Sequence, residues 1–211
     1  MSTSSLQHLY SKSACCAVPS AIREINKLVD SPGMKSLAGG WPDPVVFPSQ
    51  EIIRITNKLL KNKAGKALQY GATEGVTELR QELARLAKDR YGISCNLDHI
   101  VITAGSAQGM DLACRVLINP DDRVFVGLPT YFGGTGAVMA ACGELQGVAV
   151  DDKGLDTQQL EDRLQRLKKK GQQAKGVYVI PNFQNPTGTT LSFERRRHLV
   201  ELAELYDLVI F

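Results

Sequence analysis

The chain has 211 residues, of which 43% are hydrophobic and 22% charged, and its 25 Lys+Arg against 22 Asp+Glu leave a net charge of +3. That is an ordinary globular composition, long enough to bury a core, and it excludes the concentrated basic face of a nucleic-acid binder. No apolar run reaches the roughly 20 residues needed to cross a bilayer, so no membrane partner is expected.

Five cysteines (Cys15, Cys16, Cys95, Cys114, Cys142) and three histidines are scattered without C-x-x-C spacing. They offer neither a zinc site nor a disulfide framework, and a reducing, cytoplasmic setting is the expectation. The start of the chain is serine-rich with no apolar segment, which argues against a secretory signal. Its lack of any acid before Glu24 leaves an organellar leader open.

In chain order, helical spacing first shows over 21–29 (Ile22, Ile25, Leu28, Val29), behind Pro19-Ser20 as a start signal. Residues 36–48 are rich in turns. Helices are predicted over 49–61, with Ile52, Ile53, Ile55, Leu59 and Leu60 apolar, and over 75–91, with Leu79, Leu83 and Leu86 on one face. From residue 98 the rhythm changes. A buried strand is predicted over 99–103, then a glycine turn and a helix to about 117. Further strands are expected over 123–127, 145–150, 176–180 and from 208 onward. Between them lie helices to about 141, over 156–169 (closing on Lys168-Lys169-Lys170, suited to a helix C-terminus) and over 192–206.

Strand alternating with helix indicates an α/β layer built on a mostly parallel sheet, preceded by an N-terminal helical segment. Leu208-Val-Ile-Phe211 stops within an apolar strand, and an unpaired apolar edge is a poor place for a domain to end. The chain is therefore read as the front portion of a longer polypeptide.

Three βα turns carry residues suited to chemistry. Thr103-Ala-Gly-Ser-Ala-Gln-Gly109 joins a strand to a helix N-terminus, where free N–H groups and the helix dipole favour a phosphate. A tight turn with no ligand explains the same residues equally well. Leu128-Pro-Thr-Tyr131 follows the next strand, and Tyr131 either lies flat against an aromatic ring or closes a loop. Pro181-Asn-Phe-Gln-Asn-Pro-Thr-Gly188 follows a third strand. Asn185, before a proline, is held extended as an amide donor for a ligand oxygen or as part of a common turn. Open α/β sheets bind ligands beyond the carboxyl ends of their strands, and all three turns belong there.

Taken together, Asn185-Pro-Thr-Gly188, Gly105-Ser-Ala-Gln-Gly109 and Pro129-Thr-Tyr131 resemble the motifs of fold-type-I, class I/II aminotransferases. Ser36-Leu-Ala-Gly-Gly40, Phe47-Pro48 and Leu68-Gln-Tyr70 are similar to the kynurenine/2-aminoadipate branch of that family. The resemblance runs from about Tyr10 to the last residue. It implies the large domain of a pyridoxal 5'-phosphate-dependent transferase, incomplete here: 1–50 as an N-terminal arm and part of a small domain, 51–211 as the first part of the cofactor-binding domain.

By the same resemblance, Ser106, Ala107 and Gln108 hold the cofactor phosphate, Tyr131 stacks on its ring and Asn185 bonds its 3-oxygen. Tyr70 reaches the cofactor of a second subunit, implying a homodimer. Gly40 lies beside the substrate carboxylate, and Arg23 belongs to a segment near the site mouth. The implied reaction is transamination between an amino acid, of aromatic, aminoadipate or branched-chain type, and a 2-oxo acid. The lysine that carries the cofactor is expected beyond Phe211, so no catalytic residue is assigned. A truncated non-catalytic product and a lyase or decarboxylase of the same fold are the alternatives. If two later strands flank residues 99–103, as in relatives, the 211-residue chain alone folds poorly.

Overall fold

The buried strands alternate their side chains between two faces, and both faces find helices. The computed structural model describes residues 3–17, 40 and 42–211. The chain divides into two compact units, Met1–Ser20 with Ala104–Phe211, and Ala21–Thr103.

The first unit is built on a five-stranded sheet of order β3-β2-β1-β4-β5. Its strands are β1 (Arg123–Leu128), β2 (Glu144–Asp151), β3 (Gly154–Leu155), β4 (Gly176–Tyr178) and β5 (Val209–Ile210). β1 pairs in parallel with both β2 and β4, β4 pairs in parallel with β5, and only β3 runs antiparallel, against β2.

Alternation along the strands decides the layers. Phe125 of β1, Val148 of β2 and Val177 of β4 pack with Leu160 and Leu164 of α6 (Thr157–Lys169) and Leu199 and Leu202 of α7 (Phe193–Tyr206). Their neighbours Val124, Val126 and Tyr178 face the other way, onto Cys114 of α4 (Ser106–Leu117) and Val138 of α5 (Phe132–Ala140). The result is a helix–sheet–helix sandwich, in which each fully buried Val, Leu or Phe contributes about 1.5–3 kcal/mol.

Local chemistry sets the helix ends. The Asp156 side chain accepts the Gln159 N–H, and the Ser192 side chain accepts the Arg195 N–H, each supplying one of the acceptors a first turn lacks. β2 can turn back into β3 because Gly154 sits at φ +91° with Leu191 Cα 2.8 Å from where a Cβ would stand. Arg195 secures that corner. Its guanidinium donates to both Asp151 carboxylate oxygens (2.6 and 2.7 Å) and to the Gly154 carbonyl (2.8 Å).

The second unit holds α2 (Ser49–Ala67) and α3 (Thr77–Tyr91), the latter closed by Gly92 in the left-handed region. Arg80, largely buried, donates to the Leu97 carbonyl, and Lys66 pairs with Glu78. No residue of α2 is buried, and its Ile52, Ile53, Ile55, Leu59 and Leu60 are exposed.

Three expectations need correction or restriction. Residues 100–103 form no strand: a strand exists only in a pair, and the Ile100 N–H goes to the Leu97 carbonyl (3.1 Å) and the Ile102 N–H to the Glu74 carbonyl (2.9 Å), neither of them on a strand. The cysteines do form a bond, Cys16 to Cys142, with Cα atoms 5.4 Å apart. A short helix α1 (Lys12–Cys16) brings Cys16 there, and Ser13 Oγ donates to the Ala140 carbonyl (2.5 Å) at the end of α5. The helix predicted over 21–29 lies outside the described residues, as does Arg23.

Candidate active site

β1 ends at Leu128, and the next turn carries the chain through Pro129 and Thr130 to Tyr131, the residue that caps α5. Two glycines open that helix. A Cβ on Gly133 would stand 2.2 Å from Tyr131 Cε1, and one on Gly134 would stand 2.1 Å from Tyr178 Cζ. The pair therefore provides the floor on which two tyrosine rings lie. Tyr131 is half-exposed (42%), whereas Tyr178 is buried (9%). Burial, and secondarily the nearby Tyr131, push the Tyr178 phenol above its ordinary pKa, so it stays neutral.

Across from the rings lies the N-terminus of α4. Ser106 and Ala107 occupy its first turn, where N–H groups lack intrahelical acceptors. Together with Met110, Tyr131, Gly133 and Tyr178 they line a cavity of about 540 Å³ that reaches Phe211. No acidic side chain is among its lining residues. Gln108 is not in the lining. Its side-chain oxygen accepts the Ala104 N–H (2.5 Å) and closes the turn ahead of the helix.

The third loop, 181–191, is braced at its base. The Leu191 N–H donates to the Pro181 carbonyl (2.9 Å). Arg196 of α7 donates to the carbonyls of Leu191 (2.8 Å) and Pro181 (2.7 Å) and to Asn182 Oδ1 (2.6 Å). Asn185 is exposed near the loop's tip and does not line the cavity. Its neighbour Gln184 is buried and donates to the Pro129 carbonyl at 2.8 Å, which joins this loop to the one bearing Tyr131.

The structure thus brings Ser106, Ala107 and Tyr131 to one cavity, sets Gln108 behind it and holds Asn185 on an adjoining loop. Gly40 and Tyr70 belong to the second unit, and both are exposed there, Tyr70 fully (100%). Sequence reasoning missed Gly133, Gly134, Tyr178 and Gln184. A glycine pair opening a helix was the available signal, because glycine costs a helix about 1 kcal/mol against alanine and invites the question of what fills the space.

The fold is shared with known proteins. Residues 43–211 match the family model for aminotransferase class I and II. The chain belongs to the class I and II aminotransferases. It is 43% identical over 201 residues to aromatic-amino-acid aminotransferase 1 of Thermococcus litoralis, covering 95% of this chain and 48% of that protein. It is 33% identical to the 2-aminoadipate transaminase of Thermus thermophilus, covering 90% of this chain and 45% of that protein. The crystal structure of Pyrococcus horikoshii kynurenine aminotransferase superposes with a TM-score of 0.90 at 40% identity, covering 98% of this chain and 51% of that one. This aminotransferase chain spans about half the length of the relatives it matches.

Class I and II aminotransferases work with pyridoxal 5'-phosphate, and the cavity fits that group on its own chemistry. A helix N-terminus suits the dianionic phosphate, a half-exposed tyrosine offers a face to a pyridine ring, and no acidic side chain of the lining opposes the charge. Among the described residues no cluster of His, Cys, Asp or Glu is placed to hold a metal ion.

Proposed function

We propose that the polypeptide containing this chain is a pyridoxal-phosphate-dependent aminotransferase that exchanges an amino group between an amino acid, of aromatic, aminoadipate or branched-chain type, and a 2-oxo acid. The observation that carries the reading is the cavity shared by the first turn of α4 and the ring of Tyr131. The relatives' names support the substrate class: an aromatic-amino-acid aminotransferase, a 2-aminoadipate transaminase and a kynurenine aminotransferase.

In this reading each residue has a physical task. The Ser106 hydroxyl and the N–H groups of Ala107 and Gln108 hold the phosphate, where the α4 dipole and unshared N–H groups favour a dianion. Tyr131 covers one face of the pyridine and excludes water from it. Asn185 donates to the ring's 3-oxygen and fixes its tilt. When bound, the cofactor supplies the electron sink for the pair released at the substrate Cα. Gly40 leaves room for the substrate carboxylate, and Arg23, by the family resemblance alone, belongs to a segment near the mouth.

Tyr70 reaches the phosphate in a second subunit, which makes the enzyme a homodimer; its full exposure suits a residue whose partner lies on another chain. Residues 51–211 then form the first part of the cofactor-binding domain, with 1–50 as an arm and part of the small domain. No helix among the described residues is long and apolar enough to cross a membrane. A cytoplasmic location is the last part of the proposal; the free thiols of Cys15, Cys95 and Cys114 favour a reducing setting and the Cys16–Cys142 bond opposes it.

The test is a spectrum of the full-length protein. Bound pyridoxal phosphate gives a band near the visible edge that shifts when an aromatic amino acid or 2-aminoadipate is added, with the matching 2-oxo acid as product. Failure to bind the cofactor refutes the proposal, and so does release of carbon dioxide or free ammonia in place of amino-group transfer.

A further inference from the structure

β1 and β4 are neighbours in the sheet, and their pairing ends with Val126 opposite Tyr178. Beyond that rung the two strands are no longer paired with each other: β1 runs on beside β2 to Leu128 and then into the loop carrying Tyr131, and β4 leads into the loop carrying Asn185. The ladder no longer sets their distance. Gln184 does.

Its side chain is buried (6% exposed) and every polar atom on it is used. The side-chain oxygen accepts the Thr187 N–H at 2.9 Å and the Thr187 hydroxyl at 2.6 Å. The side-chain nitrogen donates to the Pro129 carbonyl at 2.8 Å, across 55 residues of sequence. The partners leave no freedom in this orientation, because a backbone N–H only donates and a carbonyl only accepts. Gln184 also closes its own loop through the main chain, its N–H donating to the Thr189 carbonyl (2.8 Å) and its carbonyl accepting the Gly188 N–H. Thus Gln184 is rigid within the loop and tied to the opposite one. Pro129 stands two residues before Tyr131, and Gln184 one residue before Asn185.

The geometry points to Gln184 as a positioning residue that fixes the spacing between the stacking ring of Tyr131 and the amide of Asn185, and so determines how the cofactor ring is gripped from its face and its 3-oxygen together. The inference rests on the function proposed above. Gln184 does not itself line the cavity, so it acts only through its two neighbours.

The experiment uses the full-length protein with Gln184→Glu, Gln184→Met and Gln184→Asn. Q184E keeps the shape and the acceptor for Thr187 but loses the donor and turns a carboxylate toward the Pro129 carbonyl. Q184M loses both sides of the link. Q184N keeps an amide too short to span, and serves where the other two do not accumulate. Pyridoxal phosphate is titrated into each apo-protein, the pH profile of the bound cofactor's absorbance is recorded, and apo-protein melting is followed alongside.

The expected result is affinity weaker by about tenfold, the scale of one buried hydrogen bond left unmade, with a displaced absorbance profile at little change in substrate KM. For Q184E the deficit shrinks as the pH falls, because a protonated carboxyl regains a donor for Pro129. If the unaltered protein binds pyridoxal phosphate while the variants keep its affinity and absorbance profile within about twofold, the inference is overturned. It is equally overturned if affinity falls only in step with melting temperature and acid restores nothing. If the unaltered protein binds no cofactor, the proposed function fails first.

Discussion

Gly134→Ala sets the fold and the site against each other in a measurable way. A methyl group at that position would stand 2.1 Å from Tyr178 Cζ, 2.5 Å from Cε1 and 2.6 Å from Cε2. Carbon atoms pack at about 3.5–4.0 Å, so the ring must retreat by about 1.5 Å. Tyr178 has little room to do so, since it packs with Cys114, Val126 and Val138 and is almost wholly buried. Overpacking of this kind costs about 1–3 kcal/mol. Alanine returns less than about 1 kcal/mol over glycine in the helix, because the position falls in the first turn of α5.

The expected net effect is a loss of about 1–2 kcal/mol, read as a lower midpoint in urea denaturation of the full-length apo-protein. Gly133→Ala is the companion. Its methyl also meets a ring, Tyr131 Cε1 at 2.2 Å, but Tyr131 is half-exposed and can swing outward. Stability should hold within about 0.5 kcal/mol, while pyridoxal-phosphate affinity falls because the stacking face has moved. Combining Gly134→Ala with Tyr178→Leu removes the colliding ring atoms, so the double variant should lose less than the sum of the singles. Full stability in Gly134→Ala, or strict additivity with Tyr178→Leu, would refute the reasoning.

Three further outcomes are expected. Asp151→Asn breaks the two-pronged contact with Arg195, whose hydrogen bonds hold the Asp151 carboxyl below its ordinary 3.8. A depressed pKa stabilises the fold above pH 3.8 and ceases to do so as the pH falls through the depressed value, so this variant should lose up to about 1 kcal/mol at pH 7 and converge with the parent in acid, as followed by melting against pH. Leu160→Ala opens a hole beneath a fully buried side chain of α6, on the face of the sheet away from Tyr131. It should cost about 2–5 kcal/mol in denaturant unfolding, with cofactor affinity in the folded protein unchanged. Burial pushes the Cys114 thiol up to about 11, whereas Cys15 is exposed. Iodoacetamide at neutral pH should therefore modify Cys15 in the native protein and reach Cys114 only after unfolding, with Cys16 and Cys142 recovered joined in a non-reducing peptide map.

What the sequence disclosed tracks how local each cause is. The run Val124-Phe125-Val126 reads as a strand buried on both faces, and the structure divides it between two helical layers as period-two geometry requires. Pro129-Thr-Tyr131 and Asn185-Pro-Thr-Gly188 were legible because proline and glycine restrict their own backbones. Residues 99–103 misled because an apolar β-branched run states only a capacity to pair, and pairing depends on a neighbour. β3 was invisible for the converse reason: two residues carry no periodicity, and Gly154 and Leu155 become a strand only where β2 already stands. Gln184 escaped notice because its meaning lies in a carbonyl 55 residues away, and the Cys16–Cys142 bond spans 126.

If α4 holds the phosphate as proposed, its placement shows an anion site assembled from apolar packing. A helix N-terminus alone is a weak attractor for phosphate, worth about 1 kcal/mol at an exposed end. Nor does a paired strand aim this helix, since residues 100–103 lie outside the sheet. What locates it is its C-terminal half. Cys114 and Ile118 pack with Val138 of α5 and Val124 of β1, while Met110 and Ala137 pack against the edge of the same cluster. The small residues of α5, Gly-Gly-Thr-Gly-Ala over 133–137, allow the close approach. Because α5 also starts with the cap residue Tyr131, one helix–helix contact sets the distance from the phosphate-favouring first turn of α4 to the aromatic ring. Under the proposed function, the grip on the cofactor is only as firm as the hydrophobic seam between α4 and α5, and core residues remote from any ligand, Cys114 and Val138 among them, bear on binding through it.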